Sequence, residues 1–394
     1  GREGAPVTPG DGRNGARPDT LAVHAGSRPD PQSGAVVTPI YQSATFLYPA
    51  GERDLQYTRY GNNPTQLAVH EKVAAIEGAE DSLALASGMA AIATAILSVC
   101  GRGDHVVAAP ALYGGTHVLL DRELPRLGIE VTYAEDLDPA AWERATRGET
   151  RLWFWEAISN PLLRVADGPT LAALARERGI TTLVDATFAS PIHQRPATFG
   201  VDLVMQSGTK YLGGHSDLIA GTLAGSAERV RRATEMMHTL GGSIDPHAAF
   251  LLERGIKTLA VRMARHSENG RAVAEFLAGH PRVERVHYPT LPDHADREIA
   301  ARVLTGGAGG VVTFVPRFTA AETEALVGDF RWIQLAPSLG GVESLVSMPS
   351  MTSHRMMPAA TRRERGISDA MVRLALGIED PRDLVDDLDR ALKR

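Results

Sequence analysis

From about residue 57 the hydrophobic positions fall into two alternating rhythms. Apolar residues three and four apart over Leu67–Glu77 predict a helix, stopped by Gly78. Ser82–Ala86 reads as a short strand, followed by Ser87-Gly88 and a helical run over Met89–Val99. His105–Ala109, Ile129–Tyr133, Leu152–Glu156, Thr181–Asp185 and Leu203–Gln206 read as strands. Thr116–Leu127 and Thr170–Arg178 read as helices, each with a glycine after it. Strands alternating with helices at this spacing predict an α/β fold with a mostly parallel central sheet, with ligands at the carboxyl ends of its strands. Further on, Glu228–Met237 and Phe250–Phe276 have helical spacing. Gly306–Pro316, Arg331–Ala336, Ser344–Met348 and Met371–Leu376 read as strands, and Pro381–Leu392 as a final helix. The pattern divides the chain into a tail and arm (1–56), a main domain (57–245) and a smaller α/β domain (246–394), with the change near Ser243–Pro246.

The start of the chain has neither rhythm. Gly1 to about Pro18 is polar and rich in Gly and Pro, and predicts a flexible tail. Thr20 to about Gln56 combines Pro29, Pro31, Pro39 and Pro49 with Tyr41, Phe46 and Tyr48. It reads as an extended arm that needs another surface to lie on.

Composition narrows the function. The net charge of −6 over 394 residues gives no global field for nucleic acid or an anionic membrane. A single cysteine, Cys100, rules out an internal disulfide and a cysteine-based metal cluster, so no metal site is expected. No apolar run has membrane-span length, and no secretory signal is visible. The expectation is a cytoplasmic protein.

Ser207-Gly208-Thr209-Lys210 follows a predicted strand. Small hydroxyl residues beside a lysine can bind a phosphate while the amine reaches an aldehyde, although a solvated lysine in a turn would read the same way. Asp185, with Thr187 close behind, ends another strand 25 residues earlier. A buried carboxylate there can keep a pyridine nitrogen protonated, or simply cap a turn. Ser87-Gly88-Met89 opens a helix whose free N–H groups suit a phosphate. Tyr113 can stack on a ring, and Tyr57 and Arg59 can meet a phosphate. Asn160 can bond a ring hydroxyl or a substrate carboxylate. Arg373 lies inside an apolar strand and needs an anion: a substrate carboxylate or a protein acid. The absence of G-x-G-x-x-G argues against hydride transfer with a dinucleotide.

Together these motifs resemble the pyridoxal-phosphate (PLP) enzymes of Cys/Met metabolism, with the aspartate-aminotransferase fold (fold type I). Cystathionine γ-synthase, cystathionine γ-lyase and methionine γ-lyase are members. The resemblance runs from about Thr20 to Leu392. It is carried by Tyr57-Thr58-Arg59-Tyr60-Gly61, Ala86-Ser87-Gly88-Met89, Tyr113-Gly114-Gly115, Ser159-Asn160-Pro161, Val184-Asp185-Ala186-Thr187, Ser207-Gly208-Thr209-Lys210, Ser338-Leu339-Gly340-Gly341 and Val372-Arg373-Leu374. It implies PLP bound by Lys210, with Asp185 on the ring nitrogen and Tyr113 stacked and assisting proton transfer. Ser87, Gly88, Met89, Ser207 and Thr209 would hold the phosphate, joined by Tyr57 and Arg59 of a neighbouring subunit. Asn160, Ser338, Leu339 and Arg373 would hold the substrate. A homodimer is then the least working unit, and a tetramer is usual. The implied reaction is γ-elimination or γ-replacement on an L-amino acid, through a vinylglycine ketimine.

Several positions depart from the group. Val118 stands where acyl-homoserine-using enzymes carry an arginine, Gln56 replaces an acid, and Pro337 replaces a common glutamate. An extra Asn follows Gly61, Ala157-Ile158 replaces a Ser/Thr-Pro step, and Met351 lies in an altered loop. The cofactor set is intact and the changes sit toward the substrate. Expected activities are therefore a γ-synthase-like reaction or a γ-lyase acting on a halogenated or unsaturated amino acid. A non-catalytic sensor on the same fold is the less favoured reading.

Overall fold

The computed structural model describes residues 15–48, 55–355 and 357–393. The tail as far as residue 14, and arm residues 49–54, lie outside them. Two sheets carry the chain among the described residues. The larger contains β1 (Asp81–Leu85), β2 (His105–Ala108), β3 (Glu130–Tyr133), β4 (Thr150–Glu156), β5 (Thr181–Asp185), β6 (Leu203–Ser207) and β7 (Gly221–Gly225), in the order β1-β7-β6-β5-β4-β2-β3. Pairs from β6 to β3 are parallel, and β7 alone runs against its neighbours. The expected mostly parallel α/β sheet is present. Its β4, β5 and β6 end in Glu156, Asp185 and Ser207, so polar side chains gather at one end of an apolar slab.

The smaller sheet contains β8 (Val283–His287), β9 (Val311–Pro316), β10 (Gln334–Leu335), β11 (Leu345–Ser347) and β12 (Val372–Ala375), in the order β10-β11-β12-β9-β8. Each sheet has its own core. Trp142, Trp153 and Trp155 are buried beside the first, and Phe314, Leu384 and Leu388 beside the second. The helix Leu259–Ala278 joins them, giving Leu259 and Met263 to one core and Val273 and Leu277 to the other. No helix of the described residues is long and apolar enough to cross a membrane.

The structure departs from the sequence pattern where distant groups intervene. β7 has no hydrophobic signature, because a Cβ on its Gly221 would lie 2.1 Å from the Ser87 carbonyl oxygen. A Cβ on Gly225 would likewise lie 2.2 Å from Asp202 O, so both ends of the strand require glycine. The expected strand over Arg331–Ala336 shrinks to Gln334–Leu335, since the N–H groups of Arg331 and Trp332 go to the Asp387 carboxylate instead of a ladder. The long helical stretch from Phe250 breaks between Pro246–Ile256 and Leu259–Ala278. Arg262 takes up carbonyls around the break, at 2.7 Å from Gly255 O and 2.7 Å from Tyr211 O. The helix expected over Thr116–Leu127 has a π-helical middle at Leu119–Glu123. Pro125, just beyond it, has no N–H to continue the ladder.

The arm is not extended throughout. It opens with a helix, Pro18–His24, that has Pro at its first position and buries Ala22. Lys72 secures the end of this helix. Its fully buried amine donates to Ala22 O at 2.9 Å and Val23 O at 3.1 Å, and lies 3.5 Å from the Glu253 carboxylate. Lys72→Met would leave those carbonyls without this donor and Glu253 with Ser27 and Lys257 as its partners. It is expected to cost up to about 3–5 kcal/mol in denaturant unfolding, with Lys257 softening the loss. Chymotrypsin should then cut faster at Tyr41; unchanged unfolding and cleavage would refute this account of the arm.

Candidate active site

A cavity of about 630 Å³ lies at the carboxyl ends of β1, β4, β5 and β6. Ser87 stands just beyond β1 and caps the helix Gly88–Val99, its Oγ accepting from Ala90 N at 3.0 Å. Gly88 and Met89 line the cavity, and the first-turn N–H groups of a helix have no partner within it. Ser207 faces Gly88 closely, where an added Cβ would meet its Oγ at 3.1 Å. Thr209 also lines this end, but its hydroxyl is tied to the backbone of Ala220. Serine hydroxyls at a positive helix end make an anion cradle that fits a phosphate.

Lys210 projects into the cavity from the turn after β6. Its Nζ donates to Ser338 Oγ at 2.7 Å. Burial, with the Arg373 charge second, brings its amine down to about 8. Ser338 comes from the loop between β10 and β11 of the smaller sheet and has φ +102°, a strained value for a residue with a side chain. Next to it, Gly340 has φ +80°, and a Cβ there would lie 2.6 Å from Tyr211 N. Glycine lets this loop lie directly on the backbone of the lysine turn.

Asp185 faces the cavity with a buried carboxylate. Burial pushes its proton affinity up, against hydrogen bonds from Thr187, whose N–H donates at 2.9 Å. Thr187 Oγ1 in turn accepts from Ser207 N at 2.8 Å. A pyridine-type nitrogen held against Asp185 would supply the positive partner this carboxylate lacks, so the residues present fit PLP.

The sequence reading gave no role to Glu156, which stands beside Asp185 in register on β4. Its two oxygens accept from Tyr113 N at 2.6 Å and Asn160 N at 3.1 Å, so one carboxyl fixes two loops of the site. Burial, and then the Asp185 charge, raise it well above the usual carboxylate range. An acid at a strand end, as at Asp185, was the available signal.

Arg373 on β12 closes the cavity. Nη1 donates to Asn160 Oδ1 at 3.0 Å and Nη2 to Ser338 O at 3.1 Å, while the buried Nε has no partner. No carboxylate of the described residues lies within 4.0 Å of it, so the protein-acid alternative is not realised among them. Tyr113 and Leu339 also line the cavity. Tyr57 and Arg59 do not: Arg59 sits over the Tyr60 ring at 4.9 Å and donates to His238 O at 2.6 Å. Of the departures, Pro337 and Ile158 line this cavity, and Gln56 and Met351 do not.

A second cavity of about 430 Å³ shares Tyr113, Thr352 and Ser353 with the first, and Val118 lines it.

A sequence model described as "Cys/Met metabolism PLP-dependent enzyme" matches residues 19–393. The chain is 44% identical over 379 residues to a cystathionine gamma-synthase of Mycobacterium tuberculosis, covering 95% of this chain and 96% of that protein. It is 38% identical over 379 residues to a cystathionine beta-lyase of Coxiella burnetii, covering 95% and 97%. The crystal structure of cystathionine gamma-lyase from Lactobacillus plantarum complexed with L-serine superposes with a TM-score of 0.92. It is 35% identical, covering 96% of this chain and 99% of that one. The fold is therefore fold type I. Since the match spans both sheets and the whole cavity wall, the chain belongs to the Cys/Met metabolism PLP-dependent enzymes, and PLP is its coenzyme.

Proposed function

We propose that the enzyme carries out γ-elimination or γ-replacement on an L-amino acid with a leaving group at Cγ, in the manner of a cystathionine γ-synthase. The observation that carries this is Arg373, a buried cation with an orphan Nε and no carboxylate of the described residues within 4.0 Å, lining the same cavity as the Lys210 amine. A substrate α-carboxylate satisfies it, and Asn160 and the Ser338 carbonyl hold the guanidinium in place. PLP, when bound, supplies the electron sink that makes removal of a proton beside the amino group possible. Lys210 takes the proton from Cα and then from Cβ, as an amine near about 8 can do. Asp185 holds the coenzyme's ring nitrogen, Ser87, Gly88, Met89 and Ser207 hold its phosphate, and Tyr113 covers its ring. Once the Cγ group has left with its electron pair, Cγ either accepts a nucleophile or is protonated, and water then hydrolyses the released product to a 2-oxo acid and ammonia. Ile158, Ile219 and Leu339 give the cavity an apolar wall. That wall favours a second reading, a γ-lyase acting on a halogenated or unsaturated amino acid.

Tyr57 and Arg59, outside their own cavity, serve the phosphate of a neighbouring copy in this proposal. The arm's exposed Leu47 (95%) and Tyr48 (88%) give a second copy apolar surface to cover.

Three experiments test these readings. A panel of Cγ-substituted amino acids, with and without cysteine, should release 2-oxo acid or form a thioether. Lys210→Ala should lose about 10²–10⁴-fold of the rate and the visible absorbance of the lysine-linked coenzyme; a silent panel or an active variant would refute the assignment. Loading of coenzyme-free enzyme requires the neutral amine, so its rate should rise with pH through about 8. Arg373→Gln should move that midpoint upward, because it removes a neighbouring positive charge; a flat profile would contradict the site's electrostatics. Mixing inactive Lys210→Ala and Arg59→Ala chains should restore about a quarter of wild-type activity, since half the dimers are hybrids with one intact site. No recovery on mixing would count against a shared site.

A further inference from the structure

Glu343 lies outside the substrate cavity and is not spent on an ion pair. No basic side chain of the described residues lies within 4.0 Å of its carboxylate, and Oε1 instead accepts from Ser216 Oγ. Glu343 belongs to the loop between β10 and β11 that carries Ser338, and Ser216 to the chain leaving the lysine turn. The hydrogen bond therefore crosses from the smaller sheet's loop to the larger sheet's. Gly341 makes room for it: a Cβ there would lie 2.5 Å from Ser216 Oγ and 2.7 Å from Glu343 Oε1.

The backbone on both sides of Glu343 is pinned to its own sheet. Val342 O accepts from Ile378 N at 2.9 Å. The Glu379 carboxylate accepts from Ser344 N at 2.6 Å and from Ser344 Oγ at 2.9 Å, while Ser344 Oγ accepts from Gly377 N at 2.9 Å. Residues 377–379 lie just beyond β12, the strand of Arg373. Glu343 is thus a fixed post whose side chain reaches across to the lysine turn. Arg262 already holds that turn at Tyr211 O, and Ser216 gives it a second hold, toward the Ser338 loop. Two non-glycine residues with positive φ stand at the ends of this arrangement, Ser216 at +56° and Ser338 at +102°. Such backbone persists where the surrounding contacts over-determine it.

We propose that Glu343 is a positioning residue: through Ser216 it fastens the Ser338 loop to the lysine turn. It thereby sets the contact of Ser338 Oγ with Lys210 Nζ and the hold of the Ser338 carbonyl on Arg373. Glu343 serves as an acceptor rather than as a charge, so an amide oxygen in its place can take the same proton. The proposal goes beyond the functional reading above and needs only that Lys210 carries the coenzyme.

The test follows PLP loading of coenzyme-free enzyme by visible absorbance across pH, which needs no substrate. Burial is the larger cause of the lowered Lys210 amine, so loosening the loop that covers it should move the loading midpoint above about 8. Ser216→Ala and Glu343→Ala should each raise the midpoint by about half to one pH unit, and slow turnover of a substrate found in the panel about 3–30-fold. The double variant should match either single one, because both remove the same contact. Glu343→Gln should stay close to wild type in midpoint and rate. Ser216→Gly should behave as Ser216→Ala, since relieving the positive φ does not replace the hydroxyl. Independent, additive effects of the two alanine changes would overturn the proposal. So would a midpoint that Glu343→Gln moves as far as Glu343→Ala, or lowered denaturant stability with midpoint and rate unmoved. Ser216 is exposed, so Ser216→Ala decides the matter if Glu343→Ala does not fold. A silent substrate panel refutes the γ-elimination reading separately, while the loading midpoint still judges the tether.

Discussion

The site depends on one close approach between a loop of the smaller sheet and the lysine turn that follows β6. The Ser338–Gly341 loop lies on the backbone of Lys210 and Tyr211, at a distance that excludes any side chain at Gly340. From this contact Ser338 gives its hydroxyl to the lysine amine and its carbonyl to Arg373. A shift of the smaller sheet against the larger would therefore disturb Lys210 and Arg373 together. Arg262 supports the same junction from below, spending a buried guanidinium on the carbonyls of Tyr211 and Gly255. Burial lowers that group to about 10, so it stays charged at neutral pH and keeps the lysine turn in place.

The charges of the cavity are arranged so that each lacks something. Lys210 and Arg373 are cations near one another, and Asp185 and Glu156 are carboxyls side by side on neighbouring strands. Desolvation pushes the carboxyls up and the cations down, narrowing the gap between donor and acceptor. In the proposed reaction, coenzyme and substrate would bring the missing partners: a ring nitrogen for Asp185, a phosphate for the helix end and a carboxylate for Arg373. Glu156 differs because the protein already satisfies it, through Tyr113 and Asn160, and its role is to hold those loops in register.

Much of this was legible before folding. Alternating strand and helix patterns predicted the sheet, and Ser87, Asp185 and Lys210 were found through their position just after strands. Local spacing sets such features, because a strand end and a helix start are defined by a few consecutive residues. The pattern failed where a partner far along the chain intervened. β7 escaped notice because Ser87 demands small residues across from it, and Arg331–Ala336 lost its ladder to Asp387, 56 residues away. Glu156 was visible as a residue but not as a clasp, since both its partners are loop N–H groups that no motif announces.

The sequence by itself determined the fold class, the coenzyme and candidate roles for residues that line one cavity. Those roles rest on residue type and local position, which the chain carries with it. Only the tertiary structure decided which charges remain unpaired. Arg373 is one arginine among many until folding shows no carboxylate of the described residues within 4.0 Å of it, while Arg262 is spent on the carbonyls of Tyr211 and Gly255. Whether a buried cation is structural or receptive depends on what surrounds it in space, and that depends on the packing of the two cores rather than on any run of residues.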